Sequence, residues 1–227
     1  MRKQIGYILL AVASLGVVTS LPQTVLATNN STFSQTINAG VLSTDVLDAT
    51  GATVASPSVA MSAKSLSFVC QSGGAASTGV FGANAQRITV LNPGGANNGW
   101  TLTLGATAGA SATWVSGGNS FDYNDATASG CTDGGDVDLR PGQLTVDPSA
   151  GTLTADCDSC TTANVTKGSS TAYVQGTADS VTLLNASATS DDIWKGYLTG
   201  ATLSQTIPAE TPAGAYTMNM TLTATAL

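Results

Sequence analysis

The chain has 227 residues, of which 42% are hydrophobic and 9% charged, with 14 acids, 7 bases and no histidine. Such an acidic chain lacks the basic footprint that nucleic acid requires, and its apolar content is too high for a disordered segment. Without histidine, the Ser-His-Asp and Cys-His catalytic arrangements are excluded.

Met1-Arg2-Lys3-Gln4 carries two positive charges, and Ile5 to Leu21 follows as an uncharged apolar run ahead of Val25-Leu26-Ala27. This pattern predicts a secretory signal peptide over residues 1–27, cleaved after Ala27. Ser14, Gly16, Thr19, Ser20 and Pro22 make the run a poor spanning helix. No second apolar stretch is long enough to cross a bilayer, so a secreted chain without a membrane span is expected. Residues 28–227 suit a single all-β domain. Loss of Arg2 and Lys3 takes the formal charge from −7 to −9. Thirteen of the fourteen acids are Asp, which bonds its own backbone in turns, whereas Glu favours helix.

Strands are predicted from period-two alternation. Thr32–Ile37 alternates and is closed by Asn38-Ala39-Gly40, and Val41–Leu47 gives a second strand. Val59–Val69 is expected to hold one or two more, and the Gly-rich Ser72–Ala85 a loop. Ile88, Val90, Trp100, Leu102 and Leu104 alternate with Thr around Asn92-Pro93-Gly94-Gly95, which predicts a central hairpin anchored by Trp100. Ala112–Val115 is a further strand, and Gly117–Asp138 is a polar loop. Gln143–Asp147, Gly151–Thr154, Ser170–Val174 and Ser180–Leu184 follow, then Ile193-Trp194 and Tyr197-Leu198 ahead of Ala201–Ile207, and Ala215–Ala226 closes the chain. About a dozen short strands with no capped helical period indicate one β-sandwich with Greek-key-like connections.

Cys70, Cys131, Cys157 and Cys160 are an even set in an exported chain, which indicates disulfides. A zinc site would need a second CxxC or a His pair. The short spacing predicts Cys157–Cys160, leaving Cys70 with Cys131. Asp122, Asn124, Asp125, Asp133, Asp136 and Asp138 supply hard oxygen ligands in one Gly-containing loop, a candidate Ca²⁺ site; a solvated acidic loop is the other reading. The few aromatics fall in alternating strands and read as core rather than as a catalytic cleft. No enzyme is expected.

Asn98-Gly99-Trp100-Thr101-Leu102-Thr103, together with Ile207-Pro208-Ala209 and Pro212-Ala213-Gly214-Ala215-Tyr216-Thr217 ahead of Leu222, resembles the two signature regions of WxL-domain surface proteins. Trp100 and Leu102 match the first Trp-x-Leu motif. Tyr216 lies in the lead-in to the second, where Leu222 and Ala224 replace the Trp and Leu. The resemblance implies an exported β-rich protein that binds the bacterial cell wall noncovalently through peptidoglycan, within surface assemblies. The partners expected are therefore a cell-wall glycan or other surface proteins. The alternatives are a secreted carbohydrate-binding or adhesive module, and a filament subunit that self-associates by exchanging Thr28–Ile37.

Overall fold

The computed structural model describes residues 34–95, 98–134 and 140–227; the predicted signal peptide lies outside them. Residues 38–227 form one compact unit and carry fourteen strands among the described residues, with helix only as four short 3₁₀ turns. The strands are β1 Ser43–Leu47, β2 Ser77–Phe81, β3 Arg87–Asn92, β4 Trp100–Ala106, β5 Trp114–Ser116, β6 Asn119–Phe121 and β7 Leu144–Asp147. They continue with β8 Thr152–Ala155, β9 Val165–Lys167, β10 Thr171–Ala172, β11 Ser180–Ala186, β12 Trp194–Thr199, β13 Ala201–Gln205 and β14 Met220–Ala226.

Three four-stranded antiparallel sheets have the orders β1-β3-β12-β8, β10-β7-β13-β2 and β14-β4-β11-β9, and β5 pairs with β6 in a small ribbon. Only β5 and β6 are both paired and consecutive, so the connections pass between layers in the Greek-key manner. The first two sheets are wings of one creased surface. β12 and β13 are separated only by Gly200, and on the two sides of it Leu198 faces Ile88 while Ala201 faces Phe81. The crease needs glycine. Gly200 (φ +79°) donates to the Gly82 carbonyl at 2.9 Å, and Gly82 (φ +82°) has the Leu198 carbonyl 2.8 Å from where a Cβ would stand. Positive φ and such a close approach are both open to glycine alone.

The third sheet lies across the wings and closes the core. Trp100, Leu102 and Leu104 alternate inward from β4 while Thr101 and Thr103 face out, which is the period-two pattern of a one-sided strand. The Trp100 ring meets Trp194 of β12 at 5.1 Å between centroids. Tyr173 donates its hydroxyl to the Leu104 carbonyl at 2.7 Å, and Tyr123 packs 5.1 Å from Tyr173. Burial pushes the Tyr123 phenol up to about 12, with the Asp179 and Asp122 charges adding to the shift, and burial raises Tyr173 as well.

The structure corrects several expectations. β3 and β4 are not a hairpin; they belong to different sheets, so the Asn92–Gly95 turn is an arch between layers. Residues 34–37 and 59–69 form no strand. Ser72–Ala85, expected as a loop, contains β2, whose small Ser, Thr and Gly residues leave no apolar period to detect. β9 also escaped the sequence reading.

Trp100→Ala is expected to cost about 3–5 kcal/mol, as for other large-to-small core changes. An unchanged melting temperature would place the ring at the surface.

Candidate functional site

Segment 57–71 builds one wall of the site. It runs along the outer edge of β2, where Ser62 donates its backbone N–H to the Thr78 carbonyl at 2.6 Å and accepts from Thr78 N on its hydroxyl at 2.9 Å. Met61 and Val59 fit against the bare backbone of Gly79. The Cys70–Cys131 disulfide, with Cα atoms 5.6 Å apart, and a two-way backbone bridge between Gln71 and Ile207 hold the segment's far end. Opposite it runs Pro208–Tyr216. Between the two lies a groove of about 410 Å³.

Three aromatic rings form its inner wall. Trp114 of β5 stacks on Phe121 of β6 with centroids 6.1 Å apart and planes 15° from parallel, and Phe121 meets Tyr216 at 4.9 Å. Phe121 is buried, whereas Trp114 and Tyr216 are half-buried and line the opening. Each indole or phenol has its polar end fixed: Trp114 Nε1 donates to Gln205 Oε1 at 2.9 Å and Tyr216 Oη to the Pro212 carbonyl at 2.9 Å. Gln205 is 1% exposed and donates in turn to the Asp122 and Thr206 carbonyls. Among the described residues, Lys64 is the one charged residue lining the groove, and no acid does. The remaining polar groups are hydroxyls and amides, including Ser62, Ser77 and Gln71. Such a wall suits noncovalent capture of a ligand with one flat apolar face and a polar rim.

Of the sequence motifs, the second signature region lines this groove, through Ile207, Pro208, Pro212–Ala215 and Tyr216, and the first does not. Trp100 and Leu102 are core, and Leu222 is half-buried on β14 opposite Leu104. Trp114 and Phe121 were read as core; their nearness to Tyr216, almost a hundred residues on, has no local sequence signal. Both disulfides form as expected, Cys70–Cys131 and Cys157–Cys160.

The acidic segment is far more buried than a solvated loop. Asp122, Asn124 and Asp125 are 0%, 1% and 5% exposed. Asp122 Oδ1 accepts from the Tyr123 N–H at 2.6 Å, and Asn124 Nδ2 donates to the Ala110 carbonyl at 2.9 Å. Asp125 accepts the N–H groups of Thr127 and Gly134, one on each oxygen, at 2.9 and 2.8 Å. Asp133 is half-buried, and Asp136 and Asp138 lie outside the described residues. Among the described residues no three Cys, Asp or Glu side chains are grouped to hold a metal ion.

Compared with family models, curated proteins and solved structures, the chain matches none of them.

Asp125→Ala should destabilise by about 1–3 kcal/mol, the cost of leaving buried donors unpaired, to the same extent in EDTA and in millimolar Ca²⁺. A loss confined to Ca²⁺ would make this carboxylate a metal ligand.

Proposed function

We propose that this chain is an exported, non-enzymatic surface protein that holds a cell-wall glycan in the Trp114–Phe121–Tyr216 groove. The observation that carries the reading is the aromatic wall itself. Sugar rings present flat C–H faces that pack on aromatic faces, and their hydroxyls need the amides and hydroxyls that rim the groove. Lys64 adds one cation at the mouth, suited to a carboxylate on a wall polymer. Two disulfides fit the oxidising exterior, and the signal-like N-terminus and the WxL-like motifs point the same way. Among the described residues, no acid lines the groove to supply the carboxylate pair of glycoside hydrolysis.

A second reading, an adhesive module for another protein surface, is favoured by one feature. Leu66 on the groove's lining and Phe68 and Val69 just after it in the chain are 57%, 79% and 72% exposed, and clustered exposed apolar side chains mark contact surfaces.

Tyr216→Ala removes one half-buried ring whose hydroxyl donates to the Pro212 carbonyl. Its retention on purified peptidoglycan should fall about tenfold, or ~1.4 kcal/mol, with the melting temperature little changed. Unaltered retention would move binding elsewhere. Loss on Phe68→Ser instead, with soluble glycans failing to compete, would favour the adhesive reading.

A further inference from the structure

The third sheet ends in a strand with no ladder partner on its outer side among the described residues, and β1 passes close to it. β14 pairs with β4 on one side and with no strand on the other among the described residues. Its seven residues, Met-Thr-Leu-Thr-Ala-Thr-Ala, include no charge and no proline. These are the devices by which edge strands normally avoid pairing with other chains. The direction of its free groups follows from the ladder. Asn219 accepts from Thr107 N, and Leu227 donates to the Gly99 carbonyl. Antiparallel alternation then turns the odd-numbered residues toward β4 and aims the N–H and C=O of Met220, Leu222, Ala224 and Ala226 outward.

Beside the start of β14 lies a trough of about 350 Å³ lined by Val46, Phe81, Leu104, Leu144, Leu203 and Met220. Leu104, Leu144 and Leu203 belong to the core, and Phe81 and Met220 pack against it, so the trough reaches the interior of the sandwich. The chain also carries a strand-like segment that pairs with no strand among the described residues. Ser34–Ala39 is exposed throughout and forms no ladder, and Ile37 is 89% exposed. Its sequence alternates, with Gln35, Ile37 and Ala39 on one face and Ser34, Thr36 and Asn38 on the other. Gly40 N is held to the Pro93 carbonyl at 2.9 Å, so the free part begins just upstream of a fixed point. Six residues extend over roughly 20 Å, close to the length of a seven-residue edge.

We propose that Ser34–Ala39 of one copy adds to the outer edge of β14 in a second copy, seating Ile37 in the trough, and that copies thereby join head to tail. Charge favours this contact over others. The chain carries a net −7 and copies repel at long range, but neither the segment nor the edge bears a charge. Because the two surfaces differ, the interface is heterologous and propagates instead of closing as a dimer.

The test is sedimentation velocity on the chain beginning at Thr28, across protein concentration and with added NaCl. Species beyond the dimer should grow with concentration, and more so as salt screens the repulsion. Ile37→Asp spoils the donor, and Ala224→Pro removes an outward N–H without touching the β4 ladder; each alone should stay monomeric. Mixed one to one, they should form a dimer that grows no further, since the remaining donor and edge are both spoiled. A wild-type chain that stays monomeric, whether by pairing the segment with its own edge or because another molecule covers that edge, overturns the proposal. So does assembly that stops at two copies, or a mixture of well-folded variants that fails to pair. If Ala224→Pro melts early, a benzophenone side chain at position 37 decides the matter in mixed isotopically labelled and unlabelled chains. Cross-links to Met220–Ala226 between copies support the exchange, and their absence between copies overturns it.

Discussion

The contact between Trp100 and Trp194 is the constraint on which the rest of the sandwich depends. One ring comes from the middle of the third sheet and the other from the creased pair, so a single aromatic contact spans both layers. Aromatic pairs of this kind add roughly 0.5–1.5 kcal/mol beyond the area they bury. Trp194 extends the clamp further, because its Nε1 donates to the Thr161 carbonyl at 2.8 Å. That bond ties the Cys157–Cys160 loop onto the core edge. With the layers held at this point, the crease at Gly82 and Gly200 can bend the long β2–β3 and β12–β13 paths around the third sheet.

Much of this was legible in the residues because burial on one face writes a period of two. β4, β7 and β11 carry that alternation and were placed correctly, while β12 was read only as Ile193-Trp194 and Tyr197-Leu198. The arch at Asn92–Gly95 was misread because turn residues announce a reversal of the chain but not the partner of the next strand. β2 was missed for the opposite reason: its inward positions are Ser77 and Gly79, and the apolar groups that fill the space belong to Met61 and Val59 of another segment. Those two side chains in turn made residues 59–69 resemble a strand.

The Asp-rich stretch shows the same limit for function. Asp and Asn in a Gly-containing segment are as well suited to holding backbone as to holding a cation, and composition does not separate the two. Here Phe121–Asp125 is buried throughout. Its backbone meets Pro141–Leu144, with Asp122 N on the Pro141 carbonyl and Leu144 N on the Tyr123 carbonyl. The Asp122 carbonyl also receives Gln205, and Gln205 receives Trp114. A polar relay therefore runs from the acidic stretch to the aromatic wall, and fixes the indole that faces the groove. The Cys70–Cys131 bond strengthens the arrangement from the other side, since it joins the groove's outer segment to the turn that follows Asp125.

Electrostatics decides where on such a protein a ligand can approach. A formal charge of −7 repels anionic polymers over about 8 Å at physiological salt, so a surface of this kind selects against them in general. The groove is locally different: among the described residues its lining holds Lys64 and no acid. The relay behind it satisfies the polar atoms without bringing a carboxylate to the opening, because Asp122 contributes its backbone carbonyl and keeps its side chain buried. The β14 edge is neutral for a simpler reason, being built of Met, Thr, Leu and Ala. Two openings whose described linings carry no acid thus share Val59, Met61, Trp114 and Tyr216 along their common wall. A ligand in one and a strand in the other would press on the same side chains.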